Sequence, residues 1–113
     1  MGHRVPIAAK FYRDFGWNVF LFSYRGYGKS TGAPSEKGLK VDAETAFQYI
    51  LGREELRNCP IVLYGQSLGG AVAIYLADKH QGEVDALVVE NTFTDMPTVA
   101  RKSVSICECR LTC

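Results

Sequence analysis

A serine lies at the centre of the sequence Gly-Gln-Ser-Leu-Gly at residues 65–69, between two apolar runs. The run before it, 60–64, has the composition of a buried strand, and the run after it, 71–77, that of a buried helix. A serine at a sharp turn from a strand into a helix is typical of serine hydrolases, because the turn lifts the hydroxyl clear of the sheet. This pattern therefore predicts nucleophilic attack by Ser67 on an acyl group.

The neighbours of Ser67 have the residue types that this turn requires. Side chains two positions before and two after the serine would collide as strand and helix pass, and Gly65 and Gly69 have none. The helix N-terminus carries the positive end of its dipole, so the amide of Leu68 is placed to bind the oxyanion of a tetrahedral intermediate. A turn that merely happens to contain serine is the alternative interpretation.

A serine nucleophile needs a general base, and the chain has two histidines. His80 lies about 20 Å from Ser67 along the helix, at roughly 1.5 Å per residue, and is expected to be a solvated residue at the helix end. His3 precedes the first helix and is better interpreted as a helix-start residue than as a base. Neither histidine is therefore predicted to complete a catalytic triad.

Three carboxylates of the sequence bear on whether such a triad could form. Asp95 follows the third predicted strand, where some hydrolases carry their acid, and is the candidate acid. Asp42 and Glu44 belong to the helix between the first two strands and are expected on its solvated face.

Length and composition exclude several other classes of function. The chain has 113 residues, enough for one small domain, with a 47% hydrophobic content and a net charge of +1, which does not favour nucleic-acid binding. No apolar run is long enough to span a membrane and no signal peptide is recognisable, so an intracellular location with reduced thiols is expected. Three of the four cysteines, Cys107, Cys109 and Cys113, could ligate zinc, but a poorly ordered end is the preferred interpretation and no metal is predicted.

The periodicity of apolar residues predicts an α/β domain. Short apolar runs, each typical of a strand buried on both faces, alternate with helical stripes. This alternation indicates a parallel sheet with crossover helices. Gly16 is expected to end the first helix and Ser35 to cap the second. The predicted order is a helix from Pro6, a strand at 19–22, a helix from Ser35 to Ile50, a strand at 60–64, a helix at 71–77 and a strand at 86–89.

A phosphate-binding loop is a rival interpretation of residues 23–30, which follow a strand and end in Gly-Lys-Ser. Ser23 stands where such a loop requires its first glycine. Gly32 and Pro34 also prevent a helix from starting at Lys29, so the phosphates would lose their main anchor. The glycine spacing does not match a dinucleotide-binding fingerprint either, and no organic cofactor is predicted.

Three blocks of sequence, at 23–30, 65–73 and 90–94, together closely resemble the Bem-type α/β hydrolases. These are serine hydrolases of the serine-aminopeptidase-like group, several of them membrane-anchored. The resemblance implies that Ser67 is the nucleophile, that Leu68 supplies one oxyanion amide and that Arg25 braces the loop beside the active site. It also implies a small-molecule or acyl substrate, cleaved at an ester, thioester or amide bond.

The same resemblance identifies the three predicted strands with the fourth, fifth and sixth strands of the family. The family's third strand, which lies between the fourth and fifth, is missing, as are the segments with its acid and histidine. We therefore expect a fragment: a partial hydrolase domain at 1–100 and a divergent, poorly ordered tail at 101–113. The sheet would have to close a gap or leave two apolar edges unpaired.

From this resemblance we expect the chain alone to have little or no turnover. A non-catalytic interaction module or a non-functional truncated product is the alternative. Membrane association is conceivable for the full-length family through an anchor that this sequence does not show.

Overall fold

The computed structural model describes residues 4–90 and the backbone of residues 107–111. Within residues 4–90, three α-helices alternate with three strands, with one short 3₁₀ helix at Glu54–Leu56, and a fourth strand lies at Cys107–Leu111. In chain order they are α1 (Val5–Phe15), β1 (Asn18–Leu21), α2 (Glu36–Leu51), β2 (Ile61–Gln66), α3 (Leu68–Lys79), β3 (Ala86–Glu90) and β4 (Cys107–Leu111).

The ends of the first two helices follow from local sequence signals, as predicted. Gly16 adopts a left-handed conformation, with φ of 65°, and closes α1. The side chain of Ser35 accepts a hydrogen bond of 3.0 Å from the amide of Gly38 and so caps α2. Both interactions satisfy main-chain groups that a helix terminus leaves without intrahelical partners.

The sheet has the order β1-β4-β2-β3. Strands β2 and β3 are parallel, as predicted, but β4 runs antiparallel to both β1 and β2. The three predicted strands all run in the same direction, as expected for a parallel sheet, and β4 is an additional antiparallel strand that was not predicted from the sequence. The position between β1 and β2 is occupied, so the sheet neither closes up nor leaves an unpaired gap there.

The tail that was expected to be poorly ordered thus contributes a strand at Cys107–Leu111. This strand joins the two halves of the sheet, because β1 and β2 each pair with it and not with each other. A domain boundary near residue 100 lies outside the described residues and stays a prediction.

The core lies between the sheet and the pair α2 and α3. Its largest fully buried side chains are Tyr24, Phe47, Leu39, Leu63, Leu68, Leu76 and Val72. On the opposite face of the sheet, the ring of Phe11 from α1 packs edge-on against Tyr64, with centroids 5.5 Å apart, and stacks on Trp17 at 5.3 Å. Leu63 and Tyr64 are consecutive strand residues and point to opposite faces, so both faces of β2 are covered.

Strand β3 is exposed along its whole length, whereas a buried strand was predicted there. Leu87, Val88 and Val89 retain 37%, 48% and 40% of their accessible surface. The reason is position: within the described residues β3 pairs only with β2 and forms an edge of the sheet. The apolar composition of β3 makes the strand suitable for burial, but whether it is buried depends on the elements that pack beside it.

Candidate active site

Ser67 lies at the junction between β2 and α3 in a strained backbone conformation. Its φ and ψ are 57° and −123°, and among the described residues it is the one non-glycine residue with positive φ. Such a conformation costs of order 1–3 kcal/mol and persists only where the surrounding structure enforces it. The serine's side chain makes no capping hydrogen bond to α3, in contrast with the usual role of serine before a helix.

The turn at Ser67 brings the strand and the helix into very close contact. A Cβ atom added to Gly65 would lie 2.3 Å from the carbonyl oxygen of Gly69 and 2.6 Å from the Cα of Gly70. Those atoms are main chain and cannot move aside without displacing the helix. Only a residue without a side chain fits at position 65 when α3 starts at this angle.

Hydrogen bonds and packing hold both sides of the turn. The amide of Gly70 donates to the carbonyl oxygen of Ser67 at 3.0 Å, closing the first turn of α3. The side chain of Leu68 is 1% exposed and packs in the core, which fixes where the helix begins. The amide of Leu68 belongs to that first helical turn, where main-chain N–H groups have no intrahelical acceptor and the dipole favours negative charge.

Glu90, at the end of β3, contacts the turn in two ways that the sequence did not reveal. Its carbonyl oxygen accepts a hydrogen bond of 3.0 Å from the amide of Ser67. Its carboxylate accepts a hydrogen bond of 2.6 Å from the hydroxyl of Tyr64. An acidic residue closing an apolar strand was the available signal, but its partners are set by the register that pairs Gln66 with Glu90.

A second loop reaches the same edge of the sheet from the end of β1, and Arg25 braces it. The Arg25 side chain donates to both carboxylate oxygens of Asp42 in α2, with the shortest contact at 2.7 Å, and its amide donates to the same carboxylate at 2.8 Å. These hydrogen bonds, together with the charge of Arg25, hold the pKa of Asp42 below its usual value despite partial burial. The expectation that Asp42 is a solvated surface residue is therefore wrong.

Glycines shape the path of this loop. A Cβ at Gly38, in the first turn of α2, would lie 2.7 Å from the Cδ of Arg25, so the glycine leaves room for the arginine to cross the helix. Gly26 has φ of 76°, and a Cβ there would lie 2.5 Å from Pro34. The Gly-Lys-Ser segment is thus part of a compact loop, in which the hydroxyl of Ser30 donates to the carbonyl of Ser23 at 3.0 Å.

The carboxyl ends of β1, β2 and β3 lie at one edge of the sheet, because β1 and β2 both run antiparallel to β4 while β2 and β3 are parallel. Ligands of open α/β sheets bind at this edge. An open groove of about 890 Å³ lies between the Arg25 loop and α2, and its lining includes Arg25, Asp42 and Tyr49 but not Ser67. The groove is therefore separate from the strained serine.

His80 follows the last residue of α3, at the opposite end of the helix from Ser67, as predicted, but it is not solvated. Its side chain is 11% exposed, lies against Phe47 with ring centroids 4.6 Å apart, and makes a hydrogen bond of 2.8 Å with Glu44. Glu44, likewise expected in solvent, is 19% exposed and also pairs with Lys79 at 3.0 Å. The two predictions of solvation are wrong because α2 and α3 pack against each other here.

Burial acts to raise the pKa of Glu44, but hydrogen bonds from His80 and Lys79 outweigh it and leave the pKa below its ordinary value. This cluster is an interhelical contact. It does not approach the serine.

Several predicted features fall outside the described residues. They are His3, Asp95 and the side chains of the tail cysteines. Among the residues that are described, no group of three histidine, cysteine or acidic side chains is arranged to hold a metal ion, and no helix combines the length and hydropathy needed to cross a bilayer. Cys59 is disulfide-bonded, which differs from the expected reduced thiols.

The comparisons with a family model and with individual proteins point to the same family. The family model for the alpha/beta hydrolase fold matches residues 3–105. Protein bem46 of Schizosaccharomyces pombe is 55% identical over 88% of this chain and 34% of its own length. The Saccharomyces cerevisiae protein named uncharacterized membrane protein YNL320W is 46% identical over 88% of the chain and 35% of its own length.

A third relative has a named activity. The Gallus gallus protein named lysophosphatidylserine lipase ABHD12 is 36% identical over 88% of this chain and 26% of its own length. The chain thus spans about a third or less of the length of these relatives. No solved structure is significantly similar to the chain.

Proposed function

This chain belongs to the α/β-hydrolase family, in its Bem46-type group, and we propose on that basis that Ser67 is the nucleophile of a serine hydrolase. The observation that carries the proposal is the backbone of Ser67, with φ of 57° at the first bend after a parallel strand. A cost of order 1–3 kcal/mol at this single residue is most readily explained by a requirement for the position of its side chain.

The proposed chemistry is acyl transfer. The Ser67 oxygen attacks the acyl carbonyl while a general base takes its proton, and the carbonyl oxygen becomes an oxyanion near the Leu68 amide. Collapse of the tetrahedral intermediate expels the alcohol, thiol or amine, which takes up the proton, and leaves an acyl-serine. Water then attacks the acyl-serine by the same steps and releases the acid. No metal or organic cofactor is required by this sequence of steps.

The general base and the acid that would assist Ser67 are proposed, and neither is placed beside Ser67 among the described residues. His80 is the one histidine within residues 4–90, and it lies at the far end of α3, about 20 Å from Ser67 at roughly 1.5 Å per residue. Asp95 remains the candidate acid. We therefore expect this chain by itself to react slowly with acyl substrates and to show little turnover.

The substrate class proposed is an acyl ester, with thioesters and amides as alternatives. The name of the Gallus gallus relative attributes lipase activity on a lysophospholipid to that protein, and this favours an acylated amphiphile for the present chain. The name of the Saccharomyces cerevisiae relative, a membrane protein, favours a membrane-associated setting for the full-length protein, and an intracellular location stays a prediction. Nucleic acid is not an expected partner at a net charge of +1.

Covalent labelling tests the proposal without requiring turnover. A fluorophosphonate probe should label the folded chain, and labelling should disappear in Ser67→Ala. Ser23→Ala is the matched control, because it removes a hydroxyl from the neighbouring loop and should leave labelling intact. Equal labelling of the Ser67→Ala and Ser23→Ala variants would contradict the assignment of Ser67.

An interaction module without catalysis is the second candidate, favoured by the exposed apolar edge strand β3. Such an edge can be extended by a strand of another chain. Circular dichroism and probe labelling of the same sample separate the two candidates. Folded protein that takes no label supports the module, whereas a label at Ser67 supports the hydrolase.

A further inference from the structure

The open groove between the Arg25 loop and α2 combines an aromatic wall with a polar end. Its volume is about 890 Å³, within the range of roughly 300–1,000 Å³ that small-molecule sites usually have. The wall includes Phe20 from β1, Phe22 just after it and Tyr49 from α2. Because Ser67 is not among the lining residues, the groove is a candidate site separate from the proposed nucleophile.

The aromatic side chains of the groove form one continuous apolar surface. The ring centroid of Phe20 lies 5.8 Å from that of Tyr49 and 6.3 Å from that of Phe22. Tyr49 is 53% exposed, and Val41, two helical turns earlier on the same wall, is 47% exposed. This apolar surface is open to solvent and would lose contact with water under an alkyl chain, which favours binding of such a chain.

The apolar surface continues beyond the groove. A second hollow of about 310 Å³ shares Phe20 and Tyr49 with it and is also lined by Leu56. Arg53 lies in this hollow, but its side chain is paired with Glu55 and donates to the Tyr49 hydroxyl at 2.6 Å. The two hollows together offer an alkyl chain a longer apolar path than the groove alone.

The charges at the loop end of the groove leave one cation without a partner. Arg25 and Asp42 both line the groove, but they neutralise each other, because the guanidinium contacts both carboxylate oxygens. Lys29 is exposed and makes no ion pair within the part of the chain that the structure describes. The loop end therefore has a net positive charge, which suits an anionic headgroup.

We propose that this groove binds a long-chain fatty acid, a single-chain anionic amphiphile. The carboxylate lies beside Lys29, and the alkyl chain lies along the wall of Phe22, Phe20 and Tyr49. Charge complementarity at one end and apolar burial along the rest match this ligand better than a neutral or a cationic amphiphile.

The walls of the groove are held in place before any ligand binds. Arg25 is fixed to α2 through Asp42, with the shortest contact at 2.7 Å, and the ring of Phe20 packs against the main core. Binding therefore requires little ordering of the protein. The inference does not depend on the chemistry proposed for Ser67, since a free acid has no ester bond for a serine to cleave.

Chain length is the first test. Isothermal titration calorimetry with octanoate, decanoate and dodecanoate, each below its micelle concentration, gives the Kd of the full chain for each acid. Complete burial of a CH₂ group tightens binding by roughly four-fold, and an open groove covers the chain on one side, so we expect about two-fold for each added group. Equal Kd values for the three acids, or no measurable binding of dodecanoate, would overturn the inference.

The headgroup is tested by removing the unpaired cation. Lys29→Ala should weaken decanoate binding by roughly five-fold, the most that an exposed ion pair usually contributes, and should change decanol binding by less than about two-fold. Lys37→Ala is the matched control, because Lys37 is also exposed, has no ion pair among the described residues and lines a different groove. Decylamine should bind the wild-type chain more weakly than decanol does.

Three results of this second test would contradict the proposed headgroup site. They are equal effects of Lys29→Ala and Lys37→Ala on decanoate, equal losses for decanoate and decanol in Lys29→Ala, and tighter binding of decylamine than of decanoate. Each would overturn the inference that an anionic group lies beside Lys29.

The place of binding is tested by filling the groove. Thr45 is an exposed residue of α2 that lines the groove, and Thr45→Trp should weaken binding of decanoate and of decanol by at least about ten-fold. Gln48→Trp puts the same side chain at an exposed position of α2 outside the groove and should leave binding unchanged. Circular dichroism checks that both variants keep the wild-type helix content.

Ser67→Ala separates this groove from the proposed active site. This variant should bind decanoate as tightly as the wild type does, whatever the outcome of covalent labelling at Ser67. Loss of decanoate binding in Ser67→Ala, or equal binding by Thr45→Trp and Gln48→Trp, would show that the acid binds elsewhere and would overturn the inference.

Discussion

The amide of Ser67 donates a hydrogen bond of 3.0 Å to the carbonyl oxygen of Glu90, so the strained turn is tied to the end of the neighbouring parallel strand. The Glu90 carboxylate returns to β2 through the hydroxyl of Tyr64, at 2.6 Å. The turn is therefore held from the strand before it, the helix after it and the strand beside it. Strain at Ser67 persists because all three elements constrain it.

The close approach at Gly65 predicts a large effect of a single methyl group. Gly65→Ala should lower the free energy of unfolding by about 3 kcal/mol, because the added Cβ meets main-chain atoms that cannot repack. Urea denaturation measures the change. Gly82→Ala is the control: nothing lies within 4 Å of its added Cβ, so it should alter stability by no more than about 0.5 kcal/mol.

The contacts of Glu90 predict a role in positioning Ser67. Glu90→Ala should slow fluorophosphonate labelling by roughly ten-fold, because the carboxylate no longer anchors Tyr64 beside the turn. Glu90→Gln keeps an acceptor for the Tyr64 hydroxyl and should restore most of the rate. The measurement is the second-order rate constant of labelling, taken under conditions in which each variant is fully folded. An equally slow rate for Glu90→Ala and Glu90→Gln would contradict the prediction that Glu90 acts by accepting the hydrogen bond from Tyr64.

Acid should weaken the brace between Arg25 and Asp42. The folded pKa of Asp42 is depressed by the hydrogen bonds and charge of Arg25, so its contribution is complete above the unfolded pKa, near 3.8, and is lost as pH falls through the lower folded value. Asp42→Asn should lower the Tm by roughly 5 °C at pH 7 and by less at pH 2.5. Thermal melts across this range measure the difference, and a Tm loss that does not shrink in acid would contradict the assignment.

The buried cluster at the end of α3 predicts unequal effects for two neighbouring carboxylates. Glu44 is 19% exposed and contacts His80 at 2.8 Å, whereas Glu83 is 48% exposed and lies 3.9 Å from the same ring. Glu44→Ala should therefore destabilise the chain by about 1–2 kcal/mol and Glu83→Ala by no more than about 0.5 kcal/mol. Urea denaturation at neutral pH separates the two, and equal losses would argue against the interhelical contact.

Much of the local structure was predictable from the sequence. Gly16, Ser35 and the apolar run before Ser67 each specify a helix end or a strand through contacts within a few residues. The same holds for the turn at Ser67, since glycine at 65 and a helix-forming run after 67 leave few other conformations. The catalytic roles of Ser67, Leu68 and Asp95 remain predictions.

The burial and the partners of several polar residues could not be predicted from the sequence. Asp42, Glu44 and His80 were all expected in solvent, yet each has a partner 17 or 36 positions away in the chain. A polar residue on a helix looks the same in sequence whether it faces water or a charged group on a second helix. The distinction depends on how the helices pack.

For residues 5–90 the sequence by itself determined where the main helices begin or end and which segments form α-helices and strands, because backbone preferences and apolar periodicity act over short distances. Only the tertiary structure decided that Cys107–Leu111 enters the sheet between β1 and β2, that β3 stays exposed, and that Glu90 holds Ser67. Pairing between distant segments is a competition among all available strands, and its outcome depends on which main-chain groups would otherwise be buried without partners.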